Sequence, residues 1–515
     1  MKQCLLLVFL ALATIVGAQT PSGLWNDNYD ISWWGSSKAT DKSYTISNAR
    51  QLAGMAWLVN NGHTNFDNDT TLTLSNNLDL SAHFWEPIGH YSLNHWSNYD
   101  RDEAPDNKPF KGIFDGSGHI IKGLVIDKST DNPNNNTAAG LFSCLSGAGM
   151  IKNIVLEAPQ VTGSNFEYKT PQTAALVGAI YYATGSITGC GIAFGDGSGF
   201  VQGGSVLQIG SSVTGGLIGD ICSYSSISVS NCYVAVPVTG GQEGKTFASC
   251  PTSSSSTGGL IGGSAYANVS NCYTAGSVTG GVSEFSSTGG LIGSGSANVS
   301  NCFVTNLVTG GEARSSHTGG LIGWGLTANN CLVISPSIIE NGHYASTRRI
   351  LVNDYETPTL IGNYAWESII GEPWDDKGED KFNGADWDGL MSSPPISNNW
   401  NPAIWDIDET NKLMPKLKNI PGQTDIPNPL AAEGGPTGIK TVETNNVSVY
   451  TTDNHIVVQQ NIKEQATVKV YAITGLLIAQ RLLTESTTKI PANKGIYIVV
   501  IESKENKAKA FKVVL

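Results

Sequence analysis

Charged residues are scarce in this chain of 515 residues: Asp, Glu, Lys and Arg make up 14% of it, against roughly 25% in an average soluble domain. The formal net charge is −13, and no block of basic residues occurs. An acidic chain without a basic patch is a poor partner for phosphate backbones and anionic lipids. We therefore expect no nucleic-acid partner and no binding to a membrane surface.

Long hydrophobic runs are also lacking, except at the N terminus. An apolar stretch from 4 to 16 is followed by Gly17, Ala18 and Gln19, a pattern typical of signal-peptide cleavage after Ala18. We expect residues 1–18 to be a signal peptide. Because no run of 18 apolar residues follows, we expect no transmembrane segment in the remainder and a protein that is exported.

Common catalytic patterns are missing as well. The eight histidines form no His-Glu-x-x-His pair, and no Gly-x-Ser-x-Gly elbow occurs. A polysaccharide-degrading enzyme needs two carboxylates close together, but charged residues are few between positions 171 and 335. We therefore expect a protein that is not an enzyme and needs no cofactor. An enzyme remains the weakest alternative, with Asp115, Glu372 or Asp386 from the less repetitive parts as its acids.

A short repeat is what the chain has in abundance. The run Thr-Gly-Gly-Leu-Ile-Gly occurs four times, with its leucines at Leu217, Leu260, Leu291 and Leu321. Each copy is followed by an Asn-Cys pair, and three copies then carry Val-Thr-Gly-Gly. Units this short, without a helical period, cannot bury their apolar residues alone. The repeat therefore predicts an all-β chain folded as a right-handed parallel β-helix, with a propeller as the second choice.

Both ends of such a helix expose a sheet edge that needs a cap. Residues 48–60 have the apolar spacing of an amphipathic helix, with Asn48 as the N-cap and Gln51 three residues later. We assign residues 19–135 to this N-terminal cap and the first coils. Glycines and asparagines at the corners are expected to turn with positive φ.

The Gly-Leu-Ile-Gly copies resemble the GLUG motif of bacterial surface proteins, whose members resemble adhesins built on β-helices. This resemblance assigns residues 136–335 to GLUG-type repeats. The tryptophan-rich residues 336–420 follow as closing coils and C-terminal cap. The resemblance implies a protein displayed at the cell surface.

The end of the chain has a different texture. Residues 421–438 are rich in Pro and Gly and predict a linker, while residues 439–515 alternate apolar and polar residues as in a small β-sandwich. The runs 470–475 and 494–498 resemble the C-terminal sorting domain of type IX secretion substrates in Bacteroidetes. This resemblance implies passage across the outer membrane by the type IX secretion machinery, followed by tail removal and attachment to surface lipopolysaccharide or release.

Two sets of repeated residues are candidates for binding. Glu243, Glu284 and Glu312 each follow a Val-Thr-Gly-Gly turn, so they line one loop edge or, as the commoner explanation, are solvated charges. An aromatic residue follows three of the Asn-Cys pairs and forms a second column. Exposed, this column would be a sugar-stacking platform; buried, it is packing, which we favour. Its members are Tyr233, Tyr273 and Phe303.

The cysteines that recur in the repeat predict a column of thiols. Parallel stacking at about 4.8 Å points side chains the same way, which suits buried thiols better than disulfides. The column comprises Cys190, Cys232, Cys272, Cys302 and Cys331.

Clustered acids beyond the repeat offer an alternative role in calcium binding, although they lack the EF-hand spacing and acidic surface turns are commoner. They are Asp375, Asp376, Asp386 and Asp388.

Taken together, the sequence favours a secreted, surface-displayed, non-catalytic β-helix with an adhesin-like role, which binds host or community glycans or proteins. A structural spacer of the cell envelope is the alternative, because a spacer needs no site. The repeats set the architecture and do not identify a ligand.

Overall fold

The computed structural model divides the chain into two compact units, Met1–Glu433 and Gly434–Leu515. Residues 1–20, which contain the predicted cleavage point, lie outside the described part of the chain. The structure describes residues 21–35, 41–64, 66–92, 107–129, 136–207, 210–222, 224–242, 253–371, 373–429, 447–452, 455–460, 466–472, 477–483, 487–491, 496–503 and 509–514.

The first unit is a parallel β-helix, so the predicted fold class is confirmed. One complete coil runs through the strands Ser211–Gly215, Ile218–Ile221, Ile227–Ser230, Tyr233–Val234 and Val238–Thr239. Each strand pairs in parallel with its counterpart one coil on, for example Val229 with Val269. The described coils together form four long sheets, which we call sheets I to IV.

In each repeat, sheet I contains the strand that begins at Ile of Leu-Ile-Gly and the strand that ends just before the Asn-Cys pair. Sheet II contains the strand that follows the Asn-Cys pair. The strands of sheet I are Ser43–Ile46, Thr71–Leu74, Ile113–Asp115, Phe142–Gly147, Met150–Lys152, Val177–Ala183, Ser186–Thr188, Ile218–Ile221, Ile227–Ser230, Ile261–Ser264, Ala267–Ser270, Ile292–Ser300, Ile322–Asn329 and Thr359–Ile361. Those of sheet II are Leu78–Asp79, Ile120–Lys122, Val155–Glu157, Gly191–Ala193, Tyr233–Val234, Tyr273–Thr274, Phe303–Val304, Leu332–Val333, Tyr364–Trp366 and Ala385–Trp387.

Sheet III carries the Val-Thr strands, and sheet IV the strands that end in Thr-Gly. The strands of sheet III are Val125–Asp127, Gln160–Thr162, Phe200–Gln202, Val238–Thr239, Val278–Thr279, Val308–Thr309 and Ile338–Ile339. Those of sheet IV are Ala138–Ala139, Gln172–Thr173, Ser211–Gly215, Ser254–Gly258, Ser283–Gly289, Ala313–Gly319 and Tyr344–Arg348.

The glycines of Val-Thr-Gly-Gly make room for hydroxyl groups of sheet IV. A Cβ atom on Gly240 would lie 2.3 Å from the Thr257 Oγ1 atom, and one on Gly241 would lie 2.3 Å from Ser212 Oγ. Since no side chain tolerates such contacts, the Gly-Gly corner and the hydroxyl-bearing strand are needed together. This explains why Val-Thr-Gly-Gly and Ser-x-Thr-Gly-Gly recur as partners.

The asparagine of each Asn-Cys pair turns the chain out of sheet I. Asn231, Asn271, Asn301 and Asn330 have φ angles of 54°, 52°, 52° and 54°, so the predicted positive φ at this corner is confirmed. The cysteine that follows points into a core that also contains the repeat leucines, all of which are buried. The repeat thus encodes one turn and one interior column at each corner.

The predicted N-terminal helix is present as Ala49–Asn60, capped by Asn48. The Asn48 Oδ1 atom accepts a hydrogen bond from the Gln51 amide at 3.1 Å, and the Gln51 side chain accepts one from the Ser47 amide at 2.8 Å. Leu52 and Met55 are fully buried in the same core as the first strands. A single-turn 3-10 helix, Trp25–Asp27, precedes it.

The other end is closed by a buried arginine. Arg349 is wholly buried, and its guanidinium donates to the Asp386 carboxylate at 2.7 Å and to the backbone oxygens of Asn383 and Gly384 at 2.7 and 2.9 Å. Trp366 and Trp387 pack nearby with their ring centroids 6.1 Å apart. The tryptophan-rich segment therefore closes the core.

The chain then returns along the outside of sheet II in a segment that we call the strap, residues 400–428. It contains the antiparallel pair Trp405–Asp406 and Lys416–Leu417 and follows the short helix Ile396–Asn399. Residues 421–428, which the composition suggested as the start of a linker, remain packed: the buried Asn428 side chain donates to the Gly389 carbonyl at 2.8 Å. Long-range hydrogen bonds hold this segment despite its linker-like composition.

The second unit has two antiparallel sheets. Val458 and Ile490 from one sheet and Val470 and Val499 from the other share a buried cluster, as in the expected β-sandwich. Its strands are Val447–Thr452, His455–Gln460 and Thr487–Pro491 in one sheet, and Ala466–Ala472, Leu477–Leu483, Ile496–Ser503 and Lys509–Val514 in the other.

Candidate functional site

The two described loop-edge glutamates do not form an acidic row. Glu243 lies outside the described residues. Glu284 is buried, and its Oε1 atom accepts a hydrogen bond from Arg314 at 3.1 Å, while Glu312 is exposed. The two described glutamates therefore occupy different environments, and one of them is neutralised within the protein.

The aromatic column of sheet II is buried. The Tyr233 and Tyr273 rings stack with centroids 5.4 Å apart, and Tyr273 and Phe303 stack at 4.8 Å. The strap covers all three rings. The Tyr233 hydroxyl donates to the Pro421 carbonyl at 2.8 Å, the Tyr273 hydroxyl donates to the Gln423 side chain at 3.0 Å, and Trp400 and Trp405 pack on Phe303. The column is internal packing, and no sugar ring can reach it.

The cysteine column also lies in the core. All five of its thiols are fully buried, and none of the seven described cysteines is in a disulfide. The Cys272 amide donates to the Cys302 sulfur at 3.3 Å, which shows how closely neighbouring coils approach. Burial raises the pKa of Cys190, Cys272 and Cys331 well above the ordinary thiol value. These thiols behave as small apolar side chains.

The acids of the closing segment are engaged by protein groups. Asp386 pairs with Arg349 at 2.7 Å and with Lys377 at 3.0 Å. Asp388 accepts hydrogen bonds from the Leu390 amide and the Ser393 hydroxyl. Among the described residues there is no group of three or more His, Cys, Asp or Glu side chains that could hold a metal ion. The remaining members of this set, Asp375 and Asp376, are exposed.

Asp115 and Asp386, the two described acids suggested for an enzyme, are likewise not paired with a second acid. Asp115 forms an ion pair with Lys152 at 3.1 Å and accepts hydrogen bonds from Ser117 and Asn153. Burial alone would raise the pKa of Asp115, but these partners hold it below its usual value, so it remains a carboxylate. Glu372 lies outside the described residues.

A different pair of tyrosines is exposed at a corner of sheet I. Tyr182 and Tyr224 are 38% and 72% accessible, and their rings stack with centroids 5.5 Å apart and planes inclined by 11°. Tyr266 stands at the same corner one coil further on and is 63% accessible. We call this set the tyrosine corner. Its exposure contrasts with the buried column of sheet II.

The backbone of the tyrosine corner is strained. Tyr182 and Tyr224 have φ angles of 46° and 66°, in the left-handed region that favours glycine. Holding a bulky residue there costs about 1–3 kcal/mol, and such strain concentrates at functional sites. The left-handed conformation of Tyr182 coincides with a shift in the pairing register of its strand between Ile180 and Ala183, and its ring meets that of the buried Tyr181 edge-on at 6.4 Å. The Tyr224 ring is the more exposed of the pair, at 72% accessible.

The corner exists only in the earlier coils. Residues 222–226 separate the two strands of sheet I in the coil that contains Tyr224, and only residues 265–266 do so in the next. In the following coil the two strands merge into the single strand Ile292–Ser300. The corner is thus widest in the coil of Tyr224, because only residues 184–185 separate the two strands in the coil of Tyr182.

A cavity of about 490 Å³ adjoins Tyr182. Its wall includes Val59 from the N-terminal helix, Lys108 and Lys111 from the lead-in to the strand Ile113–Asp115, and Ser146 from the preceding coil. The wall of the cavity thus combines tyrosine, lysine and serine side chains. These groups suit stacking and hydrogen bonding to a polyhydroxylated ligand, and they include no acid–base pair.

The sequence contains a weak signal for this site. A tyrosine recurs six or seven positions after the leucine of three successive coils, as Tyr182 after Leu176, Tyr224 after Leu217 and Tyr266 after Leu260. The repeat motifs do not reveal this recurrence, because the corner varies in length between coils.

No family model matches the chain. One similar protein, halomucin of Haloquadratum walsbyi, is 29% identical over 151 residues, which is 29% of this chain and 1% of halomucin. The chain thus spans a small fraction of that protein. No described helix has the length and apolar character needed to cross a bilayer.

Proposed function

We propose that the protein is a secreted, surface-displayed and non-catalytic β-helix with an adhesin-like role, which binds an extracellular glycan at the tyrosine corner. The exposed, stacked pair Tyr182–Tyr224 carries this proposal. Two rings held in a strained backbone beside a cavity form a preorganised platform, and preorganisation reduces the entropy that binding costs.

Export by the type IX secretion machinery belongs to the same proposal. The resemblance of the second unit to a sorting domain supports it, and the antiparallel sandwich of that unit agrees with the expected fold. The GLUG resemblance supports surface display, since stacked repeats give a long shaft on which a site can be presented.

A structural spacer is the second candidate. The outer faces of the coils favour it, because uncharged side chains recur there in register: Ser228 lies beside Asn268, which lies beside Asn298. Such a surface keeps the shaft soluble without offering a charged or apolar patch.

A glycan array probed with the full chain tests the proposal, with the double variant Tyr182→Gly/Tyr224→Gly as the comparison. Glycine suits the left-handed backbone, so the variant removes both rings without adding strain. Stacking that covers roughly 60 Å² of apolar surface stabilises a complex by about 1.5 kcal/mol, or about tenfold in affinity. We expect at least this loss.

The control is Tyr355→Ala, which removes an exposed tyrosine elsewhere on the first unit. Equal binding by the wild type and the double variant contradicts the proposed site. Silence of the wild type across glycan and matrix-protein panels supports the spacer, and release of reducing ends from a bound polysaccharide overturns the non-catalytic assignment.

A further inference from the structure

The charges around the cavity are opposite to those of the protein. The chain carries a net charge of −13, yet the described wall of the cavity contains two lysines and no Asp or Glu. Several described lysines elsewhere pair with a carboxylate, as Lys122 does with Asp79 and Lys152 with Asp115. The described wall of the cavity therefore carries positive charge on an acidic protein.

Neither lysine of the cavity is neutralised by a carboxylate among the described residues. The Lys108 ammonium donates to the carbonyl of Asn60 at 2.7 Å, at the C-terminal end of the capping helix, where a cation is stabilised by the helix dipole. Lys111 forms no ion pair with a described residue. Lys108 is thus held by a carbonyl group and not by a carboxylate, and Lys111 has no described carboxylate partner.

A further donor in the wall lacks a partner. The Asn107 Oδ1 atom accepts a hydrogen bond from the Ser92 amide at 3.0 Å, but its side-chain nitrogen is buried and has no partner among the described residues. A buried amide nitrogen without an acceptor is costly, but this one has almost no accessible surface, so the wall must shift before an oxygen-rich ligand can accept from it.

The stacked tyrosines determine how a ligand would enter. Tyr224 covers the face of Tyr182 toward the following coil. The cavity lies on the side of the preceding coil, where Gly147 pairs with Ala183 and where Ser146 contributes to the wall. A sugar ring that stacks on the face of Tyr182 opposite Tyr224 would lie beside the wall that contains the two lysines.

From this arrangement we infer that the cavity selects an anionic polysaccharide, whose sugar ring stacks on Tyr182 and whose carboxylate or sulfate group binds Lys111 and Lys108. The inference rests on the proposed function and specifies its ligand class. Lysine, as a point charge with three donors, serves either anionic group.

Paired polymers that differ only in charge test the inference. The full chain is titrated with dextran sulfate against dextran, and with polygalacturonate against its methyl ester. We expect the charged member of at least one pair to bind at least tenfold more tightly, and the preferred pair distinguishes sulfate from carboxylate. Its affinity should fall as ionic strength rises, because screening weakens exposed charge pairs.

The variant Lys111→Gln should lose about tenfold in affinity for the charged polymer and leave binding of a neutral one unchanged. Lys111→Arg, which keeps the charge, should stay within about threefold of the wild type. Lys412→Gln, which removes an exposed lysine from the strap, is the matched control and should have no effect.

Each failure has a distinct meaning. Equal affinity for charged and neutral polymers, or unchanged binding by Lys111→Gln, overturns the anionic specificity while the tyrosine platform stands. Binding that survives Tyr182→Gly/Tyr224→Gly overturns the platform itself. Absence of binding to all four polymers, with a neutral glycan found on the array, also overturns the anionic specificity alone.

Discussion

Among the described residues, the aromatic column of sheet II and the tyrosine corner are almost identical in stacking geometry and opposite in environment. Tyr273 and its neighbours stack at 4.8–5.4 Å under the strap, whereas Tyr182 and Tyr224 stack at 5.5 Å in the open. Parallel coils bring equivalent side chains into register, so stacking alone is a consequence of the fold. The two sets differ in solvent exposure and in backbone conformation. The strap covers the aromatic column of sheet II, whereas Tyr182 and Tyr224 of the tyrosine corner are exposed and have positive φ angles.

The largest difference between the columns should appear in stability. Tyr273→Ala removes a buried ring that contacts Tyr233, Phe303 and the strap, and should lower the free energy of unfolding by about 3 kcal/mol or more. Urea unfolding followed by tryptophan fluorescence measures this, because all 12 tryptophans lie in the first unit. Tyr344→Ala, at an exposed site, should change stability by less than about 0.5 kcal/mol. A similar loss of unfolding free energy in both variants would show that burial under the strap does not add to the stability contributed by a tyrosine.

Acid should weaken the closing segment and strap before the coils. Burial alone would raise the pKa of Asp386, but hydrogen bonds from Arg349 and Lys377 hold it below its usual value. Hydrogen bonds from Thr410 likewise hold the pKa of Asp408 low. Depressed pKa values mean that this stabilisation is present above the unfolded-state pKa of about 4 and is lost as pH falls through the folded values. Because Asp386 is partly exposed, we expect a contribution of about 1 kcal/mol or less.

Hydrogen exchange measured between pH 5 and pH 3 checks this expectation. Protection in residues 400–428 should fall at a higher pH than protection in sheet I strands that carry no carboxylate, such as Ile261–Ser264 and Ala267–Ser270. Asp386→Asn should reduce the protection of the closing segment already at pH 7. Simultaneous loss of protection in strap and coils would contradict the separate role of these carboxylates.

The smallest effect is expected at the exposed pair. Tyr224→Gly relieves the left-handed strain and should leave stability unchanged or raise it by up to about 1 kcal/mol, although glycine also increases the freedom of the unfolded chain. Tyr224→Ala keeps the Cβ atom and should gain nothing. A loss of more than about 1 kcal/mol in the glycine variant would show that the ring is structural.

The sequence is informative about the coils because each corner repeats. Asn231 and its equivalents predict left-handed turns, and the leucine and cysteine columns follow from the spacing of identical motifs. The register of the stacked aromatic residues in sheet II follows in the same way. These features depend only on contacts between a residue and its counterpart one coil away.

The two environments depend on contacts that do not repeat. Nothing in the composition of residues 421–428 indicates that Gln423 reaches Tyr273, 150 positions earlier in the chain. The sequence repeat does not indicate the tyrosine corner, because the corners that contain Tyr182 and Tyr224 differ in length. Its cavity also needs Lys108 and Lys111 from a segment outside the repeat. The register of these tyrosines follows from the sequence repeat, but their solvent exposure is known only from the three-dimensional structure.

Chemical nitration of tyrosine with and without ligand tests the central distinction most directly. Burial raises the pKa of Tyr233 and Tyr273, which further lowers their reactivity. Peptide mapping of the native protein should find Tyr182 and Tyr224 nitrated, Tyr233 and Tyr273 unmodified, and Tyr182 protected by the charged polymer while Tyr355 reacts regardless. Nitration of Tyr273 in the native protein, or equal nitration of Tyr182 with and without saturating polymer, would contradict the account.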